Sequence, residues 1–137
     1  EAPMRLESAA DEDTKQSYGF SVQNHSSPLQ VSFATTIRSV VKDLEQNIQV
    51  SSISSKFHNT IARVIASVAE KARKEQNIDT VVFVGGVFLN KKLLHRATAL
   101  LRKKGFAILR PMNYSPNDES LSIGQIAYAL NKIKKRA

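Results

Sequence analysis

The sequence contains no cysteine, which excludes a disulfide framework, a zinc–thiolate site and a thiol nucleophile. That composition fits a reducing compartment, and the expected location is the cytoplasm. No apolar run approaches the roughly 20 residues that carry a helix across a bilayer. The opening residues, E-A-P-M-R-L-E, lack the basic start and apolar stretch of a secretory signal, and position 1 is not methionine. The chain is therefore expected to be a piece of a longer polypeptide. No internal repeat, low-complexity tract or heptad array is present. The catalytic patterns H-E-x-x-H and G-x-S-x-G are missing as well. The three histidines, His25, His58 and His95, are too scattered to form a local ligand pair.

Acidic residues are the scarcer sign: 12 Asp and Glu stand against 20 Lys and Arg, for a net charge of +8. The acids gather early, at Asp11, Glu12 and Asp13. The bases gather at Lys91, Lys92 and Arg96, at Arg102–Lys104, and at Lys132–Arg136. Such a bias marks either an anionic partner or solvated helix ends whose cations favour the helix dipole. Arg102–Lys104 precede Gly105 and the last cluster ends the chain, which favours helix ends over nucleic acid. A length of 137 residues suits a single domain, 1–137, with one core, and 42% hydrophobic with 23% charged residues is ordinary for a globular protein.

What is present is organised around Thr80–Asn90, T-V-V-F-V-G-G-V-F-L-N. The unbroken apolar run Val81–Val84 reads as a strand buried on both faces. Gly85 and Gly86 end it, and Leu89, Leu93, Ala97 and Leu100/Leu101 begin a helical stripe at once. Strand, glycine turn and helix together predict a ligand approach. Glycine has no Cβ to obstruct it, and the new helix directs free N–H groups at the same spot. The segment matches neither G-x-G-x-x-G nor G-x-x-x-x-G-K, and a tight connection with no ligand is the competing reading.

The remaining elements follow from periodicity and punctuation. Pro3 starts a short helix over about 3–10, and Asp11–Ser17 is a polar loop. Tyr18, Phe20 and Val22 alternate, as do Leu29, Val31 and Phe33; with Asn24–Pro28 between them they predict a hairpin that leaves His25 in an exposed turn. Thr35 or Thr36 is expected to cap a helix carrying Ile37, Val40, Val41 and Leu44. Ser51 or Ser52 is expected to cap a longer one carrying Ile53, Phe57, Ile61, Val64/Ile65, Val68 and Ala72, with His58 a half-buried structural histidine beside the stripe. The helix after the glycines stops at Gly105, and Phe106–Leu109 makes a second short strand that Pro111 ends. This is a parallel βαβ unit. A last helix carries Leu121, Ile123, Ile126, Leu130 and Ile133. The whole reads as an α/β chain, a mixed sheet with covering helices.

The loop Asn113–Asp118 leaves the sheet at the same edge as Gly85–Gly86, so the two loops line one cleft. Asp118 is the carboxylate placed for chemistry there. It either caps the last helix through the N–H of Ser120 or Leu121, or ligates a metal, orients a water or meets a ribose hydroxyl. A full metal site needs ligands this chain does not supply.

These motifs resemble the HypF family of hydrogenase-maturation carbamoyltransferases. The matching stretches are E-A-P-M-R-L-E at 1–7, K-F-H-N-T-I-A at 56–62, V-V-F-V-G-G-V-F-L-N at 81–90, G-F-A-I-L-R-P at 105–111 and S-P-N-D-E-S-L-S-I-G-Q at 115–125, in family order. The resemblance implies the second lobe of an actin-like ATPase (ribonuclease H-like) fold, the C-terminal lobe of a longer protein. It implies an activity in which ATP and carbamoyl phosphate yield carbamoyl adenylate. The carbamoyl group then passes to the C-terminal cysteine of a HypE-like acceptor. Residue by residue, it implies nucleotide contacts at Gly85, Gly86 and Asn90, and more weakly at Glu1. It implies Asp118 as ligand of one divalent metal (iron, zinc or magnesium) shared with residues outside this chain. Glu119 and Ser120 depart from the family pattern P-N-D-G-G. Two alternatives stand beside it: a lobe of the tRNA threonylcarbamoyl-transfer enzyme, and a non-catalytic module for an anionic partner.

Overall fold

The computed structural model describes residues 1–23 and 28–134. Pro3 lies in the first turn of α1 (Ala2–Ala9), where its missing N–H costs nothing. The alternating runs form the expected hairpin: β1 (Ser21–Gln23) pairs antiparallel with β2 (Gln30–Ser32), Val22 opposite Val31. Residues 24–27 of the turn, His25 among them, lie outside the described residues.

Helices α2 (Ala34–Glu45) and α3 (Val50–Gln76) begin without the expected hydroxyl caps; Phe33 and Gln49 hold those positions and neither makes a side-chain cap bond. Thr36 lies inside α2, buried, with Oγ1 donating to the Gly19 carbonyl at 2.6 Å. The hydroxyl is taken by a tertiary bond that local capping rules do not foresee. Asn77 ends α3 in the left-handed conformation, φ 55°.

The βαβ unit is present: β3 (Thr80–Val82) pairs in parallel with β4 (Ala107–Leu109), Val81 opposite Ile108, and α4 (Lys91–Lys103) crosses between them. Helix α5 (Leu121–Lys134) closes the chain. Three details differ from the sequence reading. Burial of the central run is one-sided: Phe83 is buried, whereas Val82 and Val84 are 54% and 58% exposed. A strand with one covered face buries alternate residues, and α5, exposed along its whole length, does not cover the other face. The helix does not start at the glycines either; Gly86–Leu89 is a single 3₁₀ turn, and α4 begins after it. Finally, the strands form two separate ladders, β1–β2 and β3–β4, in place of one mixed sheet.

The apolar core is the seam of α3, α4 and the parallel pair: Ala62 and Ala66 of α3, Leu93, Ala97 and Leu101 of α4, and Phe83 and Phe106 at the strands. A second, polar core lies at the start of α3, where Ser54, Ser55, His58 and Thr60 are buried. Buried polar groups need partners, and the hydroxyls among these find them in α1 and in the segment between α1 and β1. The Tyr18 N–H donates to Thr60 Oγ1 at 2.8 Å, Ser55 Oγ donates to the Asp11 carbonyl at 2.7 Å, and Ser54 Oγ donates to the Leu6 carbonyl. Arg96 of α4 spans the same region, donating from Nη1 to the Ser55 carbonyl at 2.9 Å and from Nη2 to the Asp11 carbonyl at 2.6 Å.

Candidate functional site

Gly85 adopts φ 102°, ψ 156°, a backbone region essentially restricted to glycine. That turn aims its N–H at the carbonyl of Pro116, and the bond joins the loop after β3 to the loop after β4. At Gly86 an added Cβ would lie 3.9 Å from Cβ of Asn117, so the two loops run side by side. The expected cleft is there: a cavity of about 600 Å³ lined by Val84, Gly85, Ser115, Asn117, Asp118 and Tyr128, among others. Ser120 Oγ donates to the Ser115 carbonyl at 2.8 Å and closes the second loop on itself.

Asp118 is not the cap. Asn117 is: its Oδ1 accepts the N–H of Glu119 at 3.2 Å, at the head of the 3₁₀ turn Asp118–Ser120 that leads into α5. The carboxylate of Asp118 is left exposed at the cavity, with no hydrogen bond or ion pair among the described residues. No group of three or more His, Cys, Asp or Glu suited to a metal exists among the described residues. Asp118 therefore stands at the cavity as a single carboxylate, not as part of a complete metal site among the described residues.

The start of α4 corrects the expectation of free N–H groups. Glu7 of α1 reaches across, and its Oε1 accepts from the N–H of Lys91 at 2.8 Å and of Lys92 at 3.4 Å. Asn90 Oδ1 accepts from the N–H of Leu93 at 2.8 Å, and the Asn90 carbonyl from Leu94 at 3.0 Å. Every orphan donor of the first turn is engaged within the chain, and a carboxylate already occupies the positive end of the dipole. An anion at this site would meet the glycine loop, not the helix end.

Asn90 also binds His58, with Asn90 Nδ2 and His58 Nε2 2.9 Å apart. His58 is buried rather than half-buried, and burial, its largest influence, holds it below the ordinary imidazole value of 6.5. The structure thus brings Gly85 and Asp118 to one cavity, lays Gly86 alongside Asn117 outside its lining, and sets Asn90 at the start of α4. Glu1 lies apart, exposed at the start of α1 and 3.6 Å from Arg5. Sequence reasoning passed over Glu7 and Asn117. Asn117 carried a signal, since asparagine before an acidic first turn is a preferred cap; Glu7 carried none, because its partners lie more than 80 residues away.

A second cavity of about 600 Å³ lies between α4 and β4, where Lys91, His95, Arg102 and Arg110 stand around Leu94 and Ile108. Among the described residues no acidic side chain lines it.

Residues 1–125 match the family model described as carbamoyltransferase, Kae1-like domain, second subdomain. The chain is 31% identical over 123 residues to carbamoyltransferase HypF of Synechocystis, covering 90% of this chain and 15% of the relative. It is 28% identical over 116 residues to a tRNA N6-adenosine threonylcarbamoyltransferase of Thermosipho africanus, covering 85% of this chain and 33% of that protein. Its fold is similar to a crystal structure of full-length HypF in the phosphate- and nucleotide-bound form. That match has a TM-score of 0.87 at 32% identity, and covers 96% of this chain and 17% of the other. The likeness supports the actin-like lobe, and the chain spans about a sixth of the HypF proteins it matches.

Proposed function

Because the chain belongs to the HypF carbamoyltransferase family, we propose that it holds the nucleotide end of carbamoyl adenylate while the carbamoyl group passes to an acceptor protein. The adenylate forms from ATP and carbamoyl phosphate: water releases phosphate from the latter, and the carbamate so formed displaces pyrophosphate from ATP. The acceptor is a HypE-like protein whose C-terminal cysteine thiolate attacks the carbamoyl carbon. A C–S bond forms, the C–O bond to the phosphate breaks, AMP leaves, and the thiol proton goes to solvent. The product serves [NiFe] hydrogenase maturation in the cytoplasm.

The observation that carries this reading is the cavity whose wall is Gly85 and whose rim is the unpartnered Asp118. A glycine wall lets phosphates approach the backbone. A shared divalent metal (iron, zinc or magnesium) bound through Asp118 would offset phosphate charge. Gly86 lies alongside this wall, Asn90 contributes an amide, and Glu1 is assigned to the ribose side. Calorimetry of ADP with the full-length protein, with metal analysis, tests it. Nucleotide binding with metal lost in Asp118→Ala is the expected result. Absent binding with equal metal in both proteins overturns it.

The second reading, transfer to tRNA, is favoured by the basic cavity at Lys91, His95, Arg102 and Arg110 and by the threonylcarbamoyltransferase relative. It predicts tRNA binding that weakens steeply with salt; salt-insensitive or undetectable binding removes it.

A further inference from the structure

We propose that His58 is a positioning residue for the transfer site, fixing which way round the Asn90 amide stands and hence which of its atoms remain for the nucleotide. This rests on the reading of Asn90 as a nucleotide contact.

The geometry leaves one arrangement. His58 Nδ1 lies 2.8 Å from the carbonyl of Ser54. A carbonyl only accepts, so Nδ1 carries the proton and the neutral ring offers a lone pair at Nε2. Asn90 must then present Nδ2 to Nε2. Independently, the Leu93 N–H is a donor and requires Asn90 Oδ1 on its side. Both neighbours demand the same orientation. One Nδ2 hydrogen and one Oδ1 lone pair remain free for a ligand.

Protonation of His58 destroys this agreement. Nε2–H would face Nδ2–H₂, donor against donor. Turning the amide over would satisfy His58 but set Nδ2 against the Leu93 N–H. No orientation of Asn90 then pairs both neighbours, and one buried polar group goes unmet. The surroundings keep the ring neutral: burial acts first, Arg96 and Lys92 of α4 repel a positive charge, and Glu7 of α1 favours one.

The test is ADP affinity of the full-length protein at pH 7.5, for the wild type, His58→Gln, His58→Leu, Asn90→Ala and the His58→Leu/Asn90→Ala double variant. Glutamine supplies a neutral acceptor, so His58→Gln should hold affinity where His58→Leu loses it. His58→Leu should weaken ADP about tenfold, and add nothing once Asn90 is alanine. An equal further loss from His58→Leu in the Asn90→Ala background would mean a merely structural histidine and overturn the proposal. So would a loss of ADP affinity in His58→Gln as large as that in His58→Leu. If Asn90→Ala leaves ADP affinity unchanged, the nucleotide reading of Asn90 fails instead. Asparagine-selective ¹⁵N spectra then decide the positioning step. The Asn90 amide signals must move with the His58 titration, and signals that ignore it overturn that step too.

Discussion

Gly85 and Pro116 meet through a main-chain hydrogen bond, the Gly85 N–H donating to the Pro116 carbonyl, and this bond holds the two βα loops at one cavity. The two glycines therefore differ in what a side chain would cost. At Gly85 there is open space for a Cβ but φ is 102°. Gly85→Ala is expected to destabilise the protein by about 1–3 kcal/mol, read from urea unfolding. Gly86 carries no such strain, so Gly86→Val should leave stability nearly unchanged and block ADP by filling the approach. Unaltered ADP affinity in Gly86→Val would remove the glycines from the site.

A pH dependence follows from Tyr18, Asp43 and Lys56. Lys56 Nζ lies 2.8 Å from Asp43 Oδ2, and the Tyr18 hydroxyl donates to the same oxygen at 2.8 Å. The Lys56 hydrogen bond, chiefly, holds Asp43 below its ordinary value of 3.8, against an opposing effect of burial. A depressed carboxylate stabilises the fold above the unfolded value and loses that contribution as pH falls through the folded one. The stability difference between wild type and Asp43→Asn should be constant from about pH 5 to 7 and shrink below pH 3.8. Tyr18 is pushed up, mainly by burial, so stability should also decline above pH 10, where the unfolded tyrosine ionises first.

The helix seam makes a packing prediction. Ala97 and Leu101 are both fully buried, with 0% exposure. Ala97→Leu should overpack it by about 1–3 kcal/mol, and Leu101→Ala should cost about 2–5 kcal/mol through the cavity it leaves. Ile126→Ser on the exposed α5 should change stability by less than about 0.5 kcal/mol. Denaturant midpoints with unchanged slopes check all three.

Asp118 predicts an inactive fragment. It is a lone carboxylate at the cavity, and no metal-binding group of three accompanies it among the described residues. These 137 residues by themselves should transfer no carbamoyl group, with or without added divalent metal. Turnover by them alone would refute a shared site.

Much of this was legible locally. The parallel pair, its crossover helix and the Gly105 stop follow from apolar period and punctuation within about 30 residues, and the cleft between Gly85 and Asp118 follows from the topology of such a unit. The extent of burial was not: Val82 and Val84 read as core because four apolar residues in a row do not say how many faces a chain covers. Capping was misassigned for two reasons, a tertiary partner in one case and a better-placed neighbour in the other. Thr36 turned to Gly19, and Asn117 took the cap from Asp118. His58 and Asn90 lie 32 residues apart, and no spacing rule couples them.

The clasp of Glu7 on α4 has a consequence for the order of folding. Glu7 and Lys91 are 84 positions apart, and Arg96 reaches Asp11 over 85, whereas β3 finds β4 within one crossover. Closing a long loop costs entropy before its contacts return anything. The α3–α4 seam and the parallel pair should therefore assemble first, and the N-terminal segment should settle onto them late, like a buckle on a strap already in place. Substitutions at Glu7 would then speed unfolding and leave the folding rate untouched, while those at Leu101 would slow folding itself.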